Sequence, residues 1–124
     1  MNRDPDPYRI YMVVRNDLNM TAGKMSAQAS HGALDTYLAA QELRPETIPL
    51  YKQGHGIKVC LKAKNEYQLE KAQALAIEAG IPCALITDLG YTVFEGQPTV
   101  TVLGLGPAKR SEINHIVKRF QLME

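Results

Sequence analysis

A chain of 124 residues, 45% hydrophobic and 22% charged, is long enough to bury one domain core and far from a disordered composition. Two cysteines in apolar runs, with no CxxC spacing, exclude a disulfide framework and a metal site, and point to a reducing, cytoplasmic setting. The net charge of +1 neither demands nor excludes an anionic partner, and no apolar run nears the ~20 residues of a membrane span.

Residues 1–7, rich in proline and charge, read as a mobile leader ahead of a single domain over residues 8–124; the opening residues lack a signal-peptide core. Residues 8–15 (YRIYMVVR) are a β-rich run and predict a central strand. A helix is predicted over residues 21–41, where Met25, Ala29, Gly32, Ala33, Thr36, Tyr37 and Ala40 recur at helical spacing. Side chains this small suit a helix that lies close on a sheet. Residues 42–57 hold Pro45, Pro49, Gly54 and Gly56 and read as an irregular connection. A strand over 58–63 follows, then a helix opening at Asn65, a good N-cap with Gln68 as its capping-box partner. Leu69, Ala72, Leu75, Ala76 and Ala79 form the apolar face of this helix, and Gly80 with Pro82 stops it. Residues 83–87 and 99–103 predict two more strands, residues 104–107 (GLGP) a turn, and a last helix buries Ile113, Ile116, Val117 and Phe120. The order β-α-β-α-β-β-α indicates an α/β sandwich around a largely parallel or mixed sheet. Ligands of such sheets bind beyond the carboxyl ends of strands, which selects the loops at 15–24 and 87–98.

Chemistry concentrates beside those loops. Lys24, Gln28, His31 and Asp35, at offsets of 4, 3 and 4, share one stripe of the first helix. A solvated face would explain that stripe. Lys24, however, sits in the first turn, where the helix dipole disfavours a cation; beside Gly23 and free backbone N–H groups it suits a phosphate or a developing oxyanion. Asp88 closes an apolar strand and is placed to orient or deprotonate water, or else to cap the turn before Gly90. Thr92, Thr99 and Thr101 bring hydroxyls nearby, although threonine is also simply a good strand former. Nucleophile elbows, phosphate loops and zinc motifs are absent from the sequence, and no cofactor or metal is expected.

Three segments, in order, resemble the second-class (archaeal and eukaryotic type) peptidyl-tRNA hydrolases. They are residues 13–33 (VVRNDLNMTAGKMSAQASHGA), with the Gly-Lys and Ala-Gln-x-x-His-x-Ala helix start, residues 84–92 (ALITDLGYT) and residues 101–107 (TVLGLGP). The resemblance covers about residues 8–122. It implies a compact three-layer fold with a four-stranded mixed sheet between helices, commonly a homodimer. It also implies cofactor-free hydrolysis of the ester joining a peptide to the terminal ribose of tRNA, with tRNA rather than DNA as the partner and no membrane. By position, Lys24, Asp88, Thr92 and Thr101 fall on the family's active site, and Gln28 and His31 on its helix motif. An activated ester needs a positioned water, a base and charge stabilisation. Asp88 is the expected base or water anchor, Lys24 the oxyanion or phosphate contact, and His31 the rival base. Gln28, Gly23, Gly90, Tyr91 and Asn16 are the expected substrate contacts. Leu89 and Tyr91 stand where the family usually has Ala and Arg, and Asn16 where it often has Thr; Tyr91 is suited to stacking on a base. The alternatives are a non-catalytic RNA- or protein-binding relative, or an esterase or amidase for another substrate.

Overall fold

The computed structural model describes residues 4–90 and 94–124. Its elements are β1 (Tyr8–Arg15), α1 (Ala22–Leu43), α2 (Thr47–Gln53), β2 (Ile57–Ala63), α3 (Glu66–Glu78), β3 (Cys83–Asp88), β4 (Thr99–Lys109), α4 (Arg110–Val117) and β5 (Gln121–Leu122). The strands form one mixed sheet ordered β3-β4-β1-β2-β5. β1 and β2 run parallel, Arg9 opposite Ile57 through Arg15 opposite Ala63, while β4 lies antiparallel to both β1 and β3. The chain therefore leaves β1, β2 and β3 at one common edge.

Helices cover both faces, as an α/β sandwich requires. The side chains of β1 alternate. Tyr11 and Val13 join Leu69, Ala72, Ile113 and Ile116 beneath α3 and α4. Val14 turns the other way, to Ile86, Val102 and the α1 residues Met25 and Ala29. Cys60 and Cys83 are free thiols on opposite faces, and burial raises both above the ordinary cysteine range. Among the described residues no helix is long and apolar enough to cross a membrane.

The expected four strands and β-α-β-α-β-β-α order are corrected to five strands and an added helix. Within the supposed irregular connection, Thr47–Gln53 is helical and buries Thr47, Ile48 and Tyr51. Pro49 is tolerated because it lies in the first turn, where its missing N–H has no intrahelical acceptor. The stretch 104–107 is strand rather than turn. It contains Gly106 at φ +97°, where a Cβ would lie 2.6 Å from the Arg9 carbonyl oxygen, and a bulge shifts the register between Arg9 and Tyr11. Pro107 fits a central strand at such a bulge, where a ladder donor is not needed. β5 adds a short edge, Leu122 opposite Leu61 and Gln121 opposite Lys62.

α1 lies very close on β4. A Cβ on Gly104 would fall 2.1 Å from the Gly32 carbonyl oxygen, and one on Gly32 would fall 2.8 Å from Val102. One turn further on, the Thr36 hydroxyl donates to the Gly106 carbonyl at 2.7 Å. The cap of α3 is as expected at Asn65, whose side chain accepts from Gln68 N–H at 2.9 Å; the Gln68 amide oxygen reaches one residue further back, to Lys64 N–H at 2.7 Å. Ahead of β1, the Asp6 carboxylate accepts from the N–H and the hydroxyl of Ser111 at the start of α4.

Candidate active site

The first loop ends at Thr21, whose hydroxyl oxygen caps α1 by accepting from Lys24 N–H at 3.2 Å. One of the first-turn N–H groups expected to be free is thus already satisfied. The helix start is fixed by this bond, and the Lys24 ammonium reaches the Asp88 carboxylate at 2.7 Å, joining residues 64 positions apart. Both side chains are shielded, at 15% and 13% exposure. The Phe94 ring lies 5.9 Å from the same ammonium.

Asp88 uses its two oxygens differently. Oδ1 accepts from Lys24 and, at 3.4 Å, from the Gln28 amide; Oδ2 accepts from Gly90 N–H at 2.9 Å. The turn role and the cleft role expected as alternatives for this residue therefore coexist. Gly90 is required there, since at φ +85° a Cβ would lie 2.6 Å from the Gln97 carbonyl oxygen. The Asp88 carboxyl is held below the ordinary aspartate value chiefly by the Lys24 hydrogen bond. Partial burial opposes that shift, and the Gly90 N–H with the nearby charges of Lys24 and His31 adds to it.

Gln28 is buried, with its amide oxygen accepting from the Thr101 hydroxyl at 2.7 Å. Because that hydroxyl donates, the amide nitrogen is the end that faces Asp88. Thr101 itself is fully buried in β4, so its role exceeds that of a strand former. Among the described residues the Thr99 hydroxyl donates locally, to the Gln97 carbonyl at 2.9 Å.

Lys24, Gln28, His31 and Asp35 line one wall of a cleft of about 440 Å³; residues 85–89 at the end of β3 line the other. The predicted stripe therefore lines one wall of this cleft, with His31 and Asp35 exposed at its rim. Gly23 is exposed, with open space where a Cβ would stand. Asn16 lines a separate groove with Lys62 and Lys64. Tyr91 and Thr92 lie outside the described residues. Phe94 was not signalled by the sequence. It enters with Glu95 at positive φ, 63° and 51°, a conformation that residue types usually announce with Gly or Asn.

A family model described as peptidyl-tRNA hydrolase PTH2 matches residues 8–123. A peptidyl-tRNA hydrolase from Methanococcus vannielii is 36% identical across 94% of this chain and 99% of its own. Another from Thermococcus onnurineus is 38% identical across 94% and 98%. A probable peptidyl-tRNA hydrolase 2 from Schizosaccharomyces pombe is 36% identical across 92% of this chain and 55% of its own. With the family's helix-one and strand-end residues meeting in one cleft, and a match running almost from end to end, the chain belongs to the PTH2 family of peptidyl-tRNA hydrolases.

Proposed function

We propose that the chain hydrolyses the ester between a peptide and the 3′-terminal ribose of tRNA, with the Lys24–Asp88 pair at the reacting centre. The observation that carries this reading is the 2.7 Å contact between the two groups inside a cleft. Water held by the Asp88 carboxylate attacks the ester carbonyl carbon. The Lys24 ammonium stabilises the oxyanion that forms. A carboxylate kept ionised by a lysine is a weak base at neutral pH, so Asp88 orients the water and His31 accepts its proton. As the intermediate collapses, the carbon–oxygen bond to ribose breaks and the departing oxygen takes the proton. Thr101 fixes the Gln28 amide, which supports Asp88 from below. Thr92 belongs to this reading as a positioning group; Gly23, Gly90 and Tyr91 belong to it as substrate contacts.

The reading extends to a homodimer in the reducing cytoplasm. Leu34 and Leu38, exposed on α1, support the dimer. Sedimentation at the monomer mass would exclude the dimer. For the activity, an N-blocked aminoacyl-tRNA is incubated with the wild type and with Lys24→Ala and Asp88→Asn. Each variant loses about 100-fold or more in turnover with unchanged circular dichroism; full activity in both sinks the assignment.

A further inference from the structure

A second groove, of about 280 Å³, opens at the same edge of the sheet as the cleft. Asn16, Lys62, Lys64, Gln68, Arg119 and Gln121 line it. Its floor is built from paired backbone: Asn16 N–H donates to the Ala63 carbonyl at 2.8 Å, and Lys62 lies opposite Gln121 in the β2–β5 pair. Arg119 is steadied by a 3.3 Å bond to the His115 carbonyl. The lining holds three cations and no carboxylate, and none of the three is in an ion pair with a described residue. The cations nearer the cleft are committed otherwise, Arg15 to Asp17 and Glu66, and Lys24 to Asp88. Lysine, arginine and side-chain amides without an acid are the set that contacts phosphate and sugar. On a protein of net charge +1, such a groove concentrates positive potential where the overall charge supplies almost none.

Its position matters as much as its chemistry. β3 and β2 are separated by β4 and β1, three strand spacings or about 14 Å along the edge. A nucleic acid whose terminal ester lies between Lys24 and Asp88 must lead its phosphates away from the cleft, and this groove is a few nucleotides distant. We infer that the Lys62–Lys64–Arg119 groove is a phosphate-binding subsite that holds the tRNA backbone while the ester occupies the cleft, an inference that rests on the proposed hydrolysis. Asn16 then serves this subsite and not the reacting centre.

The test compares Lys62→Gln/Lys64→Gln/Arg119→Gln with a control, Lys52→Gln/Lys58→Gln, which removes cations at the opposite end of β2 and in α2. The kinetics use peptidyl-tRNA and a short acylated oligonucleotide with the same 3′ end, between about 50 and 200 mM salt. An exposed ion pair is worth about twofold, so the triple variant loses about tenfold more kcat/KM on tRNA than on the oligonucleotide. Its salt slope falls by about one for each phosphate contact removed, and thermal melts match the wild type. An unchanged KM and slope, or an equal loss in the control, overturns the subsite. Binding of deacylated tRNA is measured in parallel. Wild type that binds tRNA through these residues but releases no peptide refutes the hydrolytic reading alone; binding indifferent to the triple substitution refutes the groove.

Discussion

Thr101→Val tests the least visible part of the site. Valine keeps the shape of threonine, so packing in β4 is retained and only the hydroxyl is lost. That hydroxyl donates to the Gln28 amide oxygen at 2.7 Å, and both residues are buried. No buried side-chain polar atom among the described residues lacks a partner, so the substitution creates a new orphan. Stranding a buried acceptor costs about 1–3 kcal/mol, which at about 4 °C per kcal/mol lowers Tm by roughly 4–12 °C. The freed amide can also rotate to set its oxygen against the Asp88 carboxylate, an electrostatic clash that disturbs the Lys24 pair. Turnover of peptidyl-tRNA is expected to fall about tenfold to 100-fold, with KM little changed. Thr101→Ser, which keeps the donor, should recover most of the activity despite a lost methyl group. Wild-type turnover in Thr101→Val, or equal losses in the valine and serine variants, refutes the orienting role.

Other perturbations separate charge from packing. The folded-state value of Asp88 is depressed, so its stabilising contribution is complete above about pH 4 and lost as pH falls through the folded value. The stability gap between wild type and Asp88→Asn should therefore narrow in urea melts below about pH 4; a constant gap refutes the ion-pair account. Gly104→Ala drives a methyl into the Gly32 carbonyl, so α1 must lift off the sheet. It is expected to cost about 1–3 kcal/mol in a urea melt and to lower activity as well, because Lys24 rides on the same helix. Gly90→Ala meets both an unfavourable positive φ and the Gln97 carbonyl oxygen. Activity should fall while α1 and the core melt nearly as before, which hydrogen exchange of the α1 amides can check.

Where the fold was legible, one residue type had one physical use. Val13 and Val14 alternate as a strand between two cores must, and Asn65 with Gly80 brackets α3 by ordinary capping. Legibility failed where a residue had two uses. Pro49 signals a break but also fits a helix's first turn, so α2 was hidden. Gly104 and Gly106 signal a turn, yet the first admits a helix at close range and the second a bulge in a continuous strand. β5, two residues long, is too short to carry any period. In the site, Lys24 and Asp88 could be named from loop position and family resemblance. The Gln28–Thr101 bond could not, because nothing local ties residues 73 positions apart.

The helical stripe resisted a single label because packing and chemistry occupy one row. Lys24, Gln28, Gly32, Thr36 and Ala40 follow one another at four-residue steps, and the last four of them are the buried residues of α1. β4 answers this row three times along its length: Thr101 holds Gln28, Gly104 admits Gly32, and Gly106 accepts from Thr36. From Gln28 to Thr36 the helix rises about 12 Å, so these contacts fix both its height and its rotation. Lys24 is one turn before the first of them, and Asp88 ends the strand hydrogen-bonded alongside β4. The ammonium and the carboxylate are therefore positioned from a common strand, with the Thr21 cap and the Gly90 N–H adding local support. That arrangement explains why small residues are needed on α1, 8 positions and more beyond Lys24, where the helix must lie close on β4.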